Sequence, residues 1–216
     1  MKHRIKQDLD WYGTDKTTTE VTLPENTKVV RDISSWTSPT MKVNRVFARA
    51  SHETFTIKPI KELLAKYVIG VWADPFAGNN SPATLTNDFD PDTKATNHKL
   101  AEEWVKFLPP NLDGVLFDPP YSYRQIKEHY NKLGYQPTVL DTSFNFYRRV
   151  ISPLADKVKQ GGLAISFGWN SNGFGKTNGF EIIEILLVAH GLHHNDTIVT
   201  VERKILQPLT KTQDKE

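Results

Sequence analysis

Four consecutive residues, Asp118-Pro119-Pro120-Tyr121, combine types suited to holding an amino group. Two prolines fix φ and remove two backbone donors, so the carbonyls there are left to accept. An ionised Asp118 carboxylate is likewise acceptor-only. A rigid loop of acceptors fits a substrate that brings two N–H donors, and the Tyr121 ring offers a flat face on which a base could stack. The preceding residues, Gly114-Val115-Leu116-Phe117, form a short apolar run that reads as a buried strand. The tetrapeptide therefore stands at a strand's carboxyl end. The plainer alternative is a strand-ending proline turn with a surface tyrosine.

A second cluster lies upstream. Asp74-Pro75-Phe76-Ala77-Gly78-Asn79-Asn80 follows the apolar run Val68 to Ala73. Its Gly/Asn turn can bring backbone N–H groups close to a ligand, as in nucleotide-binding sheets. Asp88 ends the next short run, Thr84 to Asn87, where such sheets place an acceptor for a ribose hydroxyl. A capping carboxylate is the alternative there, since Asp90-Pro91 follows. The stretch Phe167 to Lys176 mixes Gly, Asn and aromatic residues beyond another strand. It makes Trp169 and Asn170 candidate substrate contacts, or else a plain connector with a buried tryptophan. Tyr123 and Arg124, just past the tetrapeptide, are further candidates. Arg124, Lys127, Arg148 and Arg149 are possible phosphate contacts, with a solvated helix face as the alternative. His190, His193 and His194 beside Asp196 suggest a metal only weakly. A polar cluster at a helix end is the ordinary reading, and no metal is expected.

These residues need elements to position them. Thr54 to Tyr67 reads as a helix, with Thr56 as its cap, Pro59 in its first turn and Ile60, Leu63, Leu64 and Tyr67 at helical spacing. Strands are expected at Val68 to Ala73, Thr84 to Asn87, Gly114 to Phe117, Leu163 to Phe167 and Thr197 to Ile205. Helices are expected at His98 to Phe107, at Tyr123 to Leu133 before Gly134, and at Ser143 to Lys159 with Pro153 as a kink or break. A strongly apolar helix is expected from Phe180 to His190, closed by Gly191. Val21 to Leu23 and Lys28 to Val30 are possible short strands in an otherwise polar start. Strands separated by helices predict an α/β domain with a largely parallel sheet, whose ligands sit beyond the strands' carboxyl ends. Asp74, Asp88 and Asp118 all fall there. The expected organisation is an N-terminal arm over 1–50, a catalytic domain over 51–206 and a flexible tail over 207–216.

Composition sets the bounds. The chain has 216 residues, of which 38% are hydrophobic and 24% charged, enough for a sizeable core and unlike a disordered segment. It has no cysteine, which removes disulfides, Cys-ligated metals and thiolate nucleophiles. No apolar run is long enough for a spanning helix and no secretory leader is visible, so a cytoplasmic location without membrane association is expected. The net charge of +2 is too balanced for a general polyanion binder. Any nucleic-acid contact must therefore use local basic groups.

Together the motifs resemble the S-adenosylmethionine-dependent DNA amino-methyltransferases that modify adenine N6 or cytosine N4. The chain is also similar to phage or prophage methyltransferases in which an Asp-Pro-Pro-Tyr-Ser segment precedes a short helix. The resemblance spans roughly residues 54–205. It implies a class I methyltransferase-like, Rossmann-type α/β fold with helices on both faces, and S-adenosyl-L-methionine as cofactor. It implies that Asp118, Pro119, Pro120 and Tyr121 are catalytic. It assigns Asp74, Pro75, Phe76, Ala77, Gly78, Asp88 and Asp90 to the cofactor, and Thr56 and Lys58 to its methionine end. Only 14 residues separate Asp74 from Asp88, where comparable sheets need about 20, so a shortened first crossover is expected. The position where the family often has an acidic contact to the cofactor adenine is Leu100. The resemblance implies transfer of a methyl group to an exocyclic amine, with adenine N6 favoured because the motif begins with Asp. DNA is the expected partner, with RNA or a catalytically weak binding factor as alternatives. A homodimer or a protein partner would enlarge a small substrate surface.

Overall fold

In a computed structural model of the chain, residues 41–120, 144–191 and 194–205 are described. Seven strands are β1 (Lys42–Phe47), β2 (Trp72–Asp74), β3 (Leu85–Thr86), β4 (Leu112–Phe117), β5 (Val158–Gly168), β6 (Phe180–Ala189) and β7 (Thr197–Lys204). Among the described residues the α-helices are α1 (Lys58–Tyr67), α2 (Ala101–Trp104) and α3 (Phe144–Lys157). The strands make one sheet in the order β1-β6-β7-β5-β4-β2-β3. All neighbours are parallel except β7, which runs antiparallel to both β5 and β6.

Burial on both faces explains the apolar character of the central strands. In β4, Val115 and Phe117 join a core under α2 and α3 with Trp104, Val150 and Leu154. Leu116 points to the other face and packs with Trp72, Ile165 and the α1 residues Ile60, Leu63 and Leu64. The indole of Trp72 lies flat against Gly114, where any Cβ would come within 2.5 Å of the ring. That close approach requires glycine in the middle of β4. Helices thus cover both faces of a mostly parallel, Rossmann-type sheet, as expected.

The first crossover is shortened: residues 75–84 link β2 to β3 through turns, with no helix. Beyond β3 a single parallel bridge, Asn87 to Asn97, stands in place of a further outer strand.

Several elements differ from expectation. Phe180–Ala189 is strand β6, not a helix. It pairs with β1 on one side and β7 on the other, and both ladders use its backbone groups. Residues 42–47, placed in a weakly structured arm by their polarity, form the edge strand β1. Their side chains are mostly exposed, so they lack the apolar signature of a buried strand. The Thr56 hydroxyl donates to the Glu53 carbonyl (2.7 Å), and the helix cap is Ile57, which makes no side-chain capping bond. β5 begins at Val158, directly after α3, and runs through Gly161-Gly162, whereas the helix was expected to reach Lys159 and the strand to begin at Leu163. Pro153 lies inside α3 without ending it. Residues Val21 to Leu23, Lys28 to Val30, Tyr123 to Leu133 and the 207–216 tail lie outside the described residues.

Candidate active site

The sheet's topology selects the site. From β2 the chain passes to β3 on one side, and from β4 it passes to β5 on the other. The carboxyl ends of β2 and β4 therefore flank the point where the connections diverge, the crevice in which open α/β sheets bind ligands. Asp74 is the last residue of β2 and Asp118 follows the last residue of β4.

Asp74 is fully buried. Its Oδ1 accepts the Phe76 N–H (2.9 Å) and its Oδ2 accepts the Ser81 hydroxyl (2.6 Å). Burial pushes its pKa up to about 7, against the lowering effect of those two bonds, and the charges of Asp118 and Asp88 add to the rise. Asp118 is half-buried. Burial pushes it up to about 7 as well, opposed by a hydrogen bond from the Thr54 side chain. Two carboxyls at adjacent strand ends thus change protonation near neutrality.

The loop after β2 is clamped from below. Asn87, fully buried, donates from Nδ2 to the carbonyls of Pro75 (3.2 Å) and Lys99 (2.9 Å), while its Oδ1 accepts the Lys99 N–H (3.0 Å). The Ala77 N–H donates to the Asn87 carbonyl (2.9 Å). Asp88 Oδ2 accepts the Gly78 N–H (2.9 Å) and Oδ1 accepts the Asp90 N–H (2.9 Å). Asp90 Oδ1 in turn accepts the Asp92 N–H (2.9 Å). Gly78 has φ +52°, and a Cβ there would meet nothing within 4 Å. The loop therefore presents a backbone surface onto open space, with carboxylates close by. Pro75 and Ala77 are buried in its base, and the Phe76 ring packs edge-on against Phe117 at 5.5 Å. Leu100 is partly buried just before α2.

The structure brings Asp74, Asp88, Asp118 and Thr54 to one edge of the sheet. Pro119 is buried and Pro120 half-buried beside Asp118. The Thr56 hydroxyl donates to the Glu53 carbonyl (2.7 Å), and Lys58 is exposed beside Glu62 on α1. Thr54 and Asn87 open the segments Thr54 to Ile60 and Asn87 to Pro91, which resemble the family's methionine-end and ribose motifs, but the motifs do not foretell their bonds to the Asp118 side chain and to the Pro75 and Lys99 backbone. Ser81 is the unanticipated member: it carries no motif signal, because its partner is a buried carboxylate seven residues away. Tyr121, Tyr123, Arg124 and Lys127 lie outside the described residues. Trp169 and Asn170 follow β5, next to β4, and both are exposed. Arg149 pairs with Glu102 (2.7 Å), and Arg148 is exposed on α3.

His190 has a structural task. Its ring nitrogens bond the Ala48 carbonyl and the Thr197 hydroxyl, each at 2.9 Å, and its backbone N–H donates to Asp196 Oδ1 (3.1 Å). Among the described residues no group of three His, Asp or Glu could hold a metal, and no helix is long and apolar enough to cross a membrane.

No protein-family model matches the chain, and the comparison with curated proteins gives no match. Solved structures are similar in chain path. TrmN from Thermus thermophilus is 16% identical over 69% of this chain, at a TM-score of 0.46; the chain spans about half of its length, 49%. The 1,6-didemethyltoxoflavin-N1-methyltransferase of Burkholderia thailandensis, with bound 1,6-didemethyltoxoflavin and S-adenosylhomocysteine, is 10% identical over 68% of this chain and 77% of its own, at 0.47. NSun6 from Pyrococcus horikoshii, solved with SFG, is 13% identical over 63% and 48%, at 0.39. At these values the fold class rests on the strand order and the diverging connections described above: a Rossmann-type sheet like that of class I methyltransferases.

Proposed function

We propose that this protein transfers a methyl group from S-adenosylmethionine to the exocyclic amine of a nucleobase, adenine N6 in DNA. The observation that carries the reading is the placement of Asp118-Pro119-Pro120 at the switch point, one strand from the Asp74 loop. The residues present suit the cofactor. Its sulfonium and ammonium are cationic, the nearby side chains are carboxyls, and open space lies over Gly78. When bound, the cofactor supplies a methyl group on a cationic sulfur, ready for in-line displacement.

The chain's own residues do the rest. An exocyclic amine is a poor nucleophile because its lone pair spreads into the ring. Its two N–H groups donate to the Asp118 carboxylate and the Pro119 carbonyl, which keeps electron density on nitrogen. Pro119 and Pro120 hold these acceptors rigid, and Thr54 fixes the Asp118 carboxyl from the side. As nitrogen gains positive charge, the Asp118 carboxylate opposite it is stabilising and can take the departing proton. Catalysis is then chiefly orientation and electrostatics. Mass spectrometry of nucleosides from DNA and RNA co-expressed with the protein tests this. N6-methyladenine in the DNA, lost with Asp118→Ala, is expected. Unmodified nucleosides in both pools, from a protein that binds the cofactor, would overturn it.

A further inference from the structure

β1 is an edge strand, and the ladder it shares with β6 fixes which of its groups are left over. The Ala48 N–H donates to Ala189 (3.0 Å), and in a parallel ladder residues two apart turn their backbone groups the same way. Asn44 and Val46 therefore direct theirs to β6. Val43, Arg45 and Phe47, and by the same alternation Met41, direct theirs outward. Among the described residues no strand pairs with that side. An open row of donors and acceptors is a template for another strand.

The same stretch is apolar for a surface. Among the described residues seven large apolar side chains are exposed, and three of them stand here: Met41 (49%), Val43 (62%) and Phe47 (73%). Charges are the usual guards of such an edge. Here both cations are engaged within their own chain. Lys42 lies opposite Glu184 in the ladder, and the Arg45 guanidinium sits 4.8 Å from the centre of the Phe47 ring. Successive side chains alternate, so Val43, Arg45 and Phe47 share one face of the sheet while Lys42, Asn44 and Val46 share the other.

We propose that β1 pairs antiparallel with β1 of a second copy of this chain, about a two-fold axis at Asn44, joining two sheets into one. Side chains of one face must meet side chains of the same face, so odd-numbered residues meet odd and even meet even. An axis at Arg45 would set the two arginines against each other, and an axis at Lys42 the two lysines. An axis at Val43 would carry Phe47 past the end of the partner strand. Asn44 is the middle of residues 41–47. An axis there sets Val43 against the partner's Arg45, Lys42 against the partner's Val46 and Met41 against the partner's Phe47. Asn44 meets the partner's Asn44, where each amide has a donor and an acceptor to offer. The exposed apolar side chains are then covered, and no like charges stand directly opposite. Arg45 leans over Phe47, away from the axis, so the two guanidinium groups diverge. The pairing does not rest on the proposed methyl transfer.

Sedimentation equilibrium of the full chain tests the association. One short ladder makes a small interface, so a reversible dimer with a dissociation constant of about 1–100 µM is expected. A chain that stays monomeric up to about 300 µM would leave the edge to some other strand and overturn the proposal. The axis is read separately. The chain has no cysteine, so Asn44→Cys introduces a lone thiol at an exposed position. On the axis it faces its copy in a non-hydrogen-bonded pair, about 4.5 Å between Cα atoms and within disulfide reach. Mild oxidation should link the dimer. Lys42→Cys should not link, because four residues at about 3.4 Å each hold it about 14 Å from its copy. Equal linking of the two, or none in Asn44→Cys where the parent is dimeric, would overturn the axis. Val43→Glu should tighten the dimer and Val43→Lys loosen it, each by about two- to thirtyfold, since a dimer holds two such pairs with Arg45. Loosening by both would set Val43 against the partner's Val43 and refute the pairing. These side chains are exposed, and unchanged thermal melting would show that the variants fold.

Discussion

Asp118 and Asp74 sit at adjacent strand ends, and both are pushed up to about 7. Their protonation is coupled, because the Asp118 charge contributes to the rise at Asp74. The amine is best held by an ionised Asp118, so kcat/KM for methyl transfer should climb as pH passes through about 7 and level off above about 8. Asp118→Asn should give a low, flat profile, and a wild-type rate constant between pH 6 and 9 would refute the role. Asp118→Ala should abolish transfer while leaving cofactor affinity within about tenfold, as calorimetry would show. Stability runs the opposite way. An unfolded carboxyl titrates near 4, so between about pH 4 and 7 the folded chain holds protons that the unfolded chain has lost, and raising pH destabilises it. Asp74→Asn keeps the acceptor for Phe76 and a polar contact for Ser81. It should flatten the decline expected in denaturant titrations between about pH 4 and 7. Asp88→Ala should weaken cofactor binding by about 1–3 kcal/mol, since it removes a charged acceptor and frees the Gly78 N–H.

Among the elements, the connection from β5 to β6 shows how a loop can replace a crossover helix. Glu202 of β7, fully buried, receives the N–H groups of Phe174 (2.6 Å) and Gly175 (2.8 Å). Phe174 then packs against Phe117 and Phe180, continuing a ring contact that begins at Phe76. Gly173 has φ +52°, and a Cβ there would strike the Glu202 carboxylate. Glu202→Gln sets an amide donor against one of the two N–H groups. It should cost about 1–3 kcal/mol in chemical denaturation, the usual loss for an unsatisfied buried donor. A variant as stable as the parent would show that the loop holds by packing alone. None of this was visible in the sequence, where Glu202 is one charge in an alternating strand. The central strands were legible because burial on both faces leaves unbroken apolar runs ahead of Asp74 and Asp118. β6 was misread for the same reason. Eight of its ten residues are apolar, and the two acids, Glu181 and Glu184, stand three apart, a spacing that suits a helix face, although Ile182, Ile183, Ile185 and Val188 are β-branched. The edge strand β1, with few buried side chains, gave no periodic signal at all.

At the scale of the molecule, the surfaces free for reading sequence are small among the described residues. Each good bidentate contact to a base edge yields about 1–3 kcal/mol of discrimination, so a long site needs many of them. The helices α1, α2 and α3 spend their apolar faces on the sheet. Methylation is therefore expected at a short or degenerate motif of about two to four bases, with binding that weakens steeply as salt rises. Sequencing modified sites across a genome would decide this, and a strict motif of six or more bases read by the isolated monomer would contradict it.

The position of β7 has a consequence for how the protein comes into being. β5 and β6 never touch through a ladder of their own; β7 fills the slot between them and bonds both. A ribosome therefore releases β5 and β6 before the strand that joins them exists. Until Thr197–Lys204 emerges, two long apolar strands present open edges, the kind of edge that recruits other chains. The sheet closes late and all at once, so the nascent chain is most vulnerable to aggregation in the interval just before synthesis of β7 is complete.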